Sequence, residues 1–130
     1  MTGLDTNVLL RFLLQDEPDQ SAKAAALMGT FSVQEPGFIS SVTLAESVWV
    51  LERSYRKPKQ EVSCFVRGLL DAEQMIVENH DEVTQALRKF DASNADFADR
   101  LIERLCHSAR CTRTMTFDAN ASKVAGMVLL

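Results

Sequence analysis

The 130-residue chain predicts an α/β fold, a single domain spanning residues 1–130 with a central, mostly parallel sheet flanked by helices. Three observations predict it. Short strand-like pieces alternate with longer helical patterns from one end to the other, and that alternation favours parallel βαβ units. No repeat, low-complexity tract or linker interrupts it. With 46% hydrophobic and 25% charged residues, a chain of this mass leaves roughly 6,900 Å² exposed out of about 21,000 Å², enough burial for a core without disulfides.

Thr2–Leu4 is a short strand candidate ending at Asp5, followed by Val8–Leu14, apolar except for Arg11. Pro18 and Asp19 open a helix that holds Ala22, Ala24, Ala25 and Ala26 and reaches Gly29. Gly37–Ile39 is the second strand, and Ser40 or Ser41 caps a helix running to about Tyr55, before Pro58. Gln60–Asp71 is helical, Met75–Val77 a strand and Asp81–Ala92 helical. Ser93 or Asn94 caps a helix from Asp96 to Ala109. Thr112–Phe117 is β-rich, Ala119–Val124 a short helix, and Met127–Leu130 an edge strand closing the sheet. Trp49 is expected inside, and Cys106 and Cys111 as buried thiols.

Fourteen basic against eighteen acidic residues give a net charge of −4, which argues at first against a nucleic-acid partner. If four acids converge on one metal site, the remainder balances at fourteen of each, and a phosphate-bearing substrate is not excluded. The three cysteines are odd in number and lack CxxC spacing, which points to a reducing cytoplasm. No signal peptide and no apolar run of membrane-spanning length is visible.

In open α/β sheets ligands sit beyond the carboxyl ends of the strands. Asp5 and Asp118 follow strands, Glu46 lies in the first turns of the helix after the second strand, and Asp96 and Asp99 open another helix. Asp5, Asp96, Asp99 and Asp118 each read alone as a cap or helix-terminal acid, whereas Glu46 sits in an apolar run where a buried, unpaired carboxylate would be costly. Together, four segments deliver carboxylates to one end of the sheet, where without a cation they would repel one another. Hard oxygen donors suit Mg²⁺ or Mn²⁺. His80 and His107 have neither an i, i+4 partner nor a cysteine at zinc spacing. No phosphate-cradling glycine loop occurs. A second acid two residues after the first, usual in aspartyl-phosphate chemistry, is replaced by Asn7.

At four places the sequence resembles the PIN-domain family. Gly3-Leu4-Asp5-Thr6-Asn7-Val8-Leu9-Leu10 is similar to its opening motif and Ser41-Val42-Thr43-Leu44-Ala45-Glu46 to its second. Ala95-Asp96-Phe97-Ala98-Asp99-Arg100-Leu101-Ile102 is similar to the third, and Thr114-Met115-Thr116-Phe117-Asp118 to the fourth. The short length resembles the VapC-type toxins of bacterial toxin–antitoxin pairs. The resemblance implies a Mg²⁺- or Mn²⁺-dependent endoribonuclease with Asp5, Glu46, Asp99 and Asp118 as its acidic site and Asp5 and Asp99 as direct metal ligands. Asp96 would be auxiliary, while Thr6, Asn7 and Thr116 would orient carboxylates or the attacking water. It further implies a homodimer and a VapB-like antitoxin docked in a groove near the acids. Arg100, Glu103, Arg104 and Cys106 depart from the small, Ala-rich helix common after the third motif. Arg100 and Arg104 either contact phosphate or pair with Glu103 on a solvated face; Arg11, near Asp5, is a further candidate for phosphate or for a partner. A nuclease for structured DNA and a non-catalytic binding module are the alternatives.

Overall fold

A computed structural model describes residues 1–130. The first half is two successive strand–helix–helix units. The strand β1 (Thr2–Gly3) leads into α1 (Thr6–Leu14) and α2 (Pro18–Met28). The strand β2 (Gly37–Ile39) leads into α3 (Ser41–Arg53) and α4 (Lys59–Asp71), and β3 (Met75–Val77) follows. These strands pair in parallel in the order β1-β2-β3, with Phe38 opposite Gly3 on one side and Ile76 on the other. All three therefore present their carboxyl ends, at Leu4, Ile39 and Val77, to the same edge. Ile39 is fully buried at the centre of a core that includes Leu9, Leu44, Val48, Leu51, Val62 and Val83.

The second half is built on α5 (His80–Ala92) and α6 (Phe97–Ser108), which pack against each other, and α6 packs on α3. Phe97, at the first position of α6, is fully buried, and its ring meets that of Phe90 edge-on at 5.9 Å. That anchor fixes where α6 begins. Its cap is Asp96, not Ser93 or Asn94, because the Asp96 carboxylate accepts from the Asp99 N–H at 3.2 Å.

The expected long strand over 112–117 shrinks to β4 (Met115–Thr116). After α7 (Ala119–Val124), β5 (Val128–Leu129) pairs with β4 in parallel, and the pair stands as a separate two-stranded sheet rather than closing the first one. Its small core, Ala121, Ala125 and Met127, is separate from the main one. Trp49 is exposed, contrary to expectation. The buried stripe of α3 runs through Leu44, Ser47, Val48 and Leu51, and Trp49 stands with exposed Val42 on the other side of the helix. Cys106 is half-buried in the last turn of α6, and Cys111, beyond the end of that helix, is exposed. The accessible surface, 7762 Å², exceeds the roughly 6,900 Å² expected for this mass. No helix is long and apolar enough to cross a membrane.

Candidate active site

Three of the sequence-predicted acids are helix caps. Asp5 closes β1 and accepts from the Val8 N–H at 3.1 Å, starting α1. Asp96 starts α6. Asp118 follows β4 and accepts from the N–H groups of Asn120 and Ala121 at 2.8 and 3.2 Å, starting α7. In each, Oδ1 takes the capping bond and Oδ2 has no protein donor. Capping thus fixes the orientation of each carboxylate and leaves a lone-pair-bearing oxygen available. Helix N-termini also favour the negative charge, by roughly 0.3–1 kcal/mol each.

Asp99, one turn into α6, is held above the ordinary carboxylate range, first by burial and then by the charges of Asp96 and Asp118. The charges of Asp96 and Asp118, from two parts of the sequence, thus both reach Asp99. Around Asp5 a second group forms. Thr6 is buried and donates to Glu46, which stands exposed on α3 rather than sunk in its apolar run. The Thr43 hydroxyl donates to the Leu4 carbonyl at 3.3 Å, tying the first turn of α3 to the end of β1. Thr116 accepts from the Asp118 N–H at 3.0 Å, so it shapes the turn that presents that acid. Asn7 is exposed beside Asp5 and makes no side-chain bond.

As the side chains stand, no three acids, histidines or cysteines are gathered so that they could hold a metal ion. The donor set fits a hard divalent cation in kind: it is carboxylate and hydroxyl oxygen throughout, with Asp99 crowded by acids whose charge a cation would offset.

The cations fall in two places. Arg11 lines a groove of about 330 Å³ together with Asp5, Asn7, Gln20 and Lys23. Its guanidinium donates to Gln20 at 2.8 Å and lies 3.4 Å from Asp16. Lys23 escaped the sequence reading because α2 looked like a bare alanine stretch; its packing against α1 is what carries the lysine toward Asp5. Arg100 and Arg104, by contrast, both pair with Glu103, at 3.1 and 2.6 Å. The face is not solvated, because Glu103 is buried. In the basic stretch after α3, Lys57 pairs with Glu61 at 3.5 Å, and Lys59 donates to the Ser93 carbonyl at 2.6 Å and lies over the Phe90 ring.

Three acids were missed. Glu52 on α3 is raised by burial and by the charge of Asp96, which places that acid near the end of α3. Glu78, just after β3, accepts from the Ser41 N–H at 2.9 Å and serves as a second cap on α3. Its position at a strand end was the available signal. Glu35 pairs with the N-terminal ammonium at 3.0 Å, away from the acids discussed above.

Compared with known proteins, residues 4–127 match the family model described as PIN domain. No curated protein matches the chain.

Proposed function

The chain belongs to the PIN domain family, whose members are generally nucleases, and on that footing we propose that it is a Mg²⁺- or Mn²⁺-dependent endoribonuclease, the toxin of a VapBC-type toxin–antitoxin pair. The observation that carries this reading is that Asp5, Asp96 and Asp118 each cap a helix through Oδ1 and keep Oδ2 free of protein donors, beside a half-buried Asp99 whose pKa is raised first by burial and then by the charges of Asp96 and Asp118. Such an arrangement costs the fold stability and makes chemical sense as a cation site. Asp5 and Asp99 are the proposed direct ligands, with Glu46 and Asp118 completing the acidic site and Asp96 auxiliary. A bound divalent ion lowers the pKa of its water and offsets charge on a scissile phosphate.

The chain's own residues have separate roles. Thr6 holds the Glu46 carboxylate by its hydrogen bond, and Thr116 and the two N–H groups of α7 hold Asp118. Arg11 and Lys23, in the groove beside Asp5, supply positive charge for the phosphates flanking the cut. No basic platform interleaved with aromatics is present, which favours a folded RNA read by shape over a long single strand.

Two features support partners. A groove of about 510 Å³ is lined mainly by apolar residues of α1, α2 and α4, among them Leu9, Phe12, Met28, Phe65 and Leu69. α1 and α2 line both this groove and the basic groove by Asp5, so an antitoxin segment lying here would share their surface with the substrate side. Val42 and Trp49 on the outer side of α3 suit a homodimer contact.

Cleavage of end-labelled structured RNA, with a DNA hairpin in parallel and Mg²⁺ or Mn²⁺ added, tests the reading. Metal-dependent cutting of RNA, abolished in Asp5→Asn and Asp99→Asn, is expected. Cutting of the DNA alone would reassign the substrate, and native-rate cleavage by either variant would overturn the site.

A further inference from the structure

Asp118 is carried by a part of the chain with little hold on the rest. The unit β4–α7–β5 has its own two-stranded sheet and its own three-residue core of Ala121, Ala125 and Met127, and α7 packs chiefly on β4 and β5. Burial of so few small side chains gives little apolar adhesion. Yet the helix that Asp118 opens is held, at its other end, to α6 one residue after Asp99.

The connection is polar. Arg100, one position after Asp99 on α6, donates from Nη1 to the Ala125 carbonyl at 2.8 Å. Ala125 is the C-terminal cap of α7, the helix that Asp118 opens. Glu103 fixes the same guanidinium at 3.1 Å and is itself gripped by both sides of Arg104, whose Nη1 reaches Gln85 on α5 at 3.0 Å. Gly126 completes the seat. It adopts φ +79°, and a Cβ there would stand 2.6 Å from Arg100 Nη1. Arg100 Nε is buried without a partner.

We propose that Arg100 is a positioning residue: it clamps the C-terminal end of α7 to α6 and thereby holds Asp118, at the other end of that helix, against Asp99. α7 acts as a short strut between clamp and acid. Arg100 lies outside the reacting groups and acts through Asp118. Its consequence for metal binding rests on the reading that Asp99 and Asp118 belong to one cation site; the clamp itself does not.

Amide hydrogen exchange on the full chain tests the clamp without reference to activity. The probes are the N–H groups of Ala125 and Val128, bonded to Ala121 and Thr114, against those of Leu44 and Val83 in α3 and α5. In Arg100→Ala the first pair exchanges at least tenfold faster and the second pair is unchanged, because Arg104 still satisfies Glu103. Gly126→Ala, which crowds the same seat from the other side, gives the same local pattern. Arg100→Lys, which keeps one donor, recovers part of the protection. Unchanged exchange at Ala125 and Val128, or uniform acceleration along the chain, overturns the clamp. Mn²⁺ binding followed by electron paramagnetic resonance separates the second claim. Weaker binding in Arg100→Ala and Gly126→Ala supports positioning of Asp118, and native affinity in both overturns it. Absence of binding by the unmodified protein refutes the metal-site reading and leaves the clamp to be decided by exchange.

Discussion

Removing Glu103 leaves two guanidinium groups facing each other in a largely buried site. The Arg100 and Arg104 side chains are 16% and 19% exposed, and the acid meets them at 3.1, 2.6 and 2.8 Å. Breaking a buried pair from one side costs about 3–5 kcal/mol, and the residual water access puts Glu103→Ala near the lower end, about 3 kcal/mol. With an unfolding entropy of about 2.1 cal/mol/K per residue, that corresponds to a fall in Tm of roughly 11 °C. The same interaction has a pH signature. Both arginines hold the Glu103 carboxyl below its usual 4.5, the Arg104 hydrogen bond contributing most. A lowered folded value means that the stabilisation is complete above 4.5 and is lost as pH falls through the folded value. Urea denaturation of both proteins at neutral pH and at a series of acidic values measures this. A loss under about 1 kcal/mol at pH 7, or a difference that persists undiminished in acid, would refute the reasoning.

Asp99 behaves in the opposite sense. Its pKa is raised above 3.8, by burial first and then by Asp96 and Asp118, so the fold is favoured below 3.8 and loses that advantage as pH rises through the folded value. Asp99→Asn is therefore expected to raise Tm at neutral pH, with the gain vanishing on acidification, as calorimetry at several pH values would show. Phe97→Ala empties a fully buried position under α6 and costs about 3–5 kcal/mol by denaturant titration. Trp49→Ala, on the exposed side of α3, changes the stability of the isolated chain by no more than about 0.5 kcal/mol, and a large loss there would show that this face is covered.

The alternation of strand and helix was legible because each element carries its own signal: Pro18 at a helix start, Ser40 as a cap, and an apolar triplet at Gly37–Ile39. Asp5 and Asp118 were legible as caps because capping positions that follow strand ends are local in sequence, whereas the cap of α6 fell at Asp96 rather than at Ser93 or Asn94. What the sequence hid depends on partners far along the chain. Arg100 looked like a candidate for phosphate until Ala125 and Gly126 came to lie against it, 25 and 26 residues later. Trp49 sits within an apolar run, so composition alone did not show which side of α3 the core would take. The separate β4–β5 sheet follows from a ladder only two residues long, too short for periodicity to register.

The central claim is that these carboxylates form a divalent-cation site, and thermal unfolding during Mn²⁺ titration tests it most directly. Asp5→Asn is the comparison, because asparagine caps a helix as well as aspartate does and removes only the charge. At an ion concentration about a hundredfold above Kd, binding adds about 2.7 kcal/mol, a rise in Tm on the order of 10 °C. The account predicts that rise in the unmodified protein and its loss in Asp5→Asn. An equal rise in both, or none in the unmodified protein even with a non-cleavable RNA present, would contradict it.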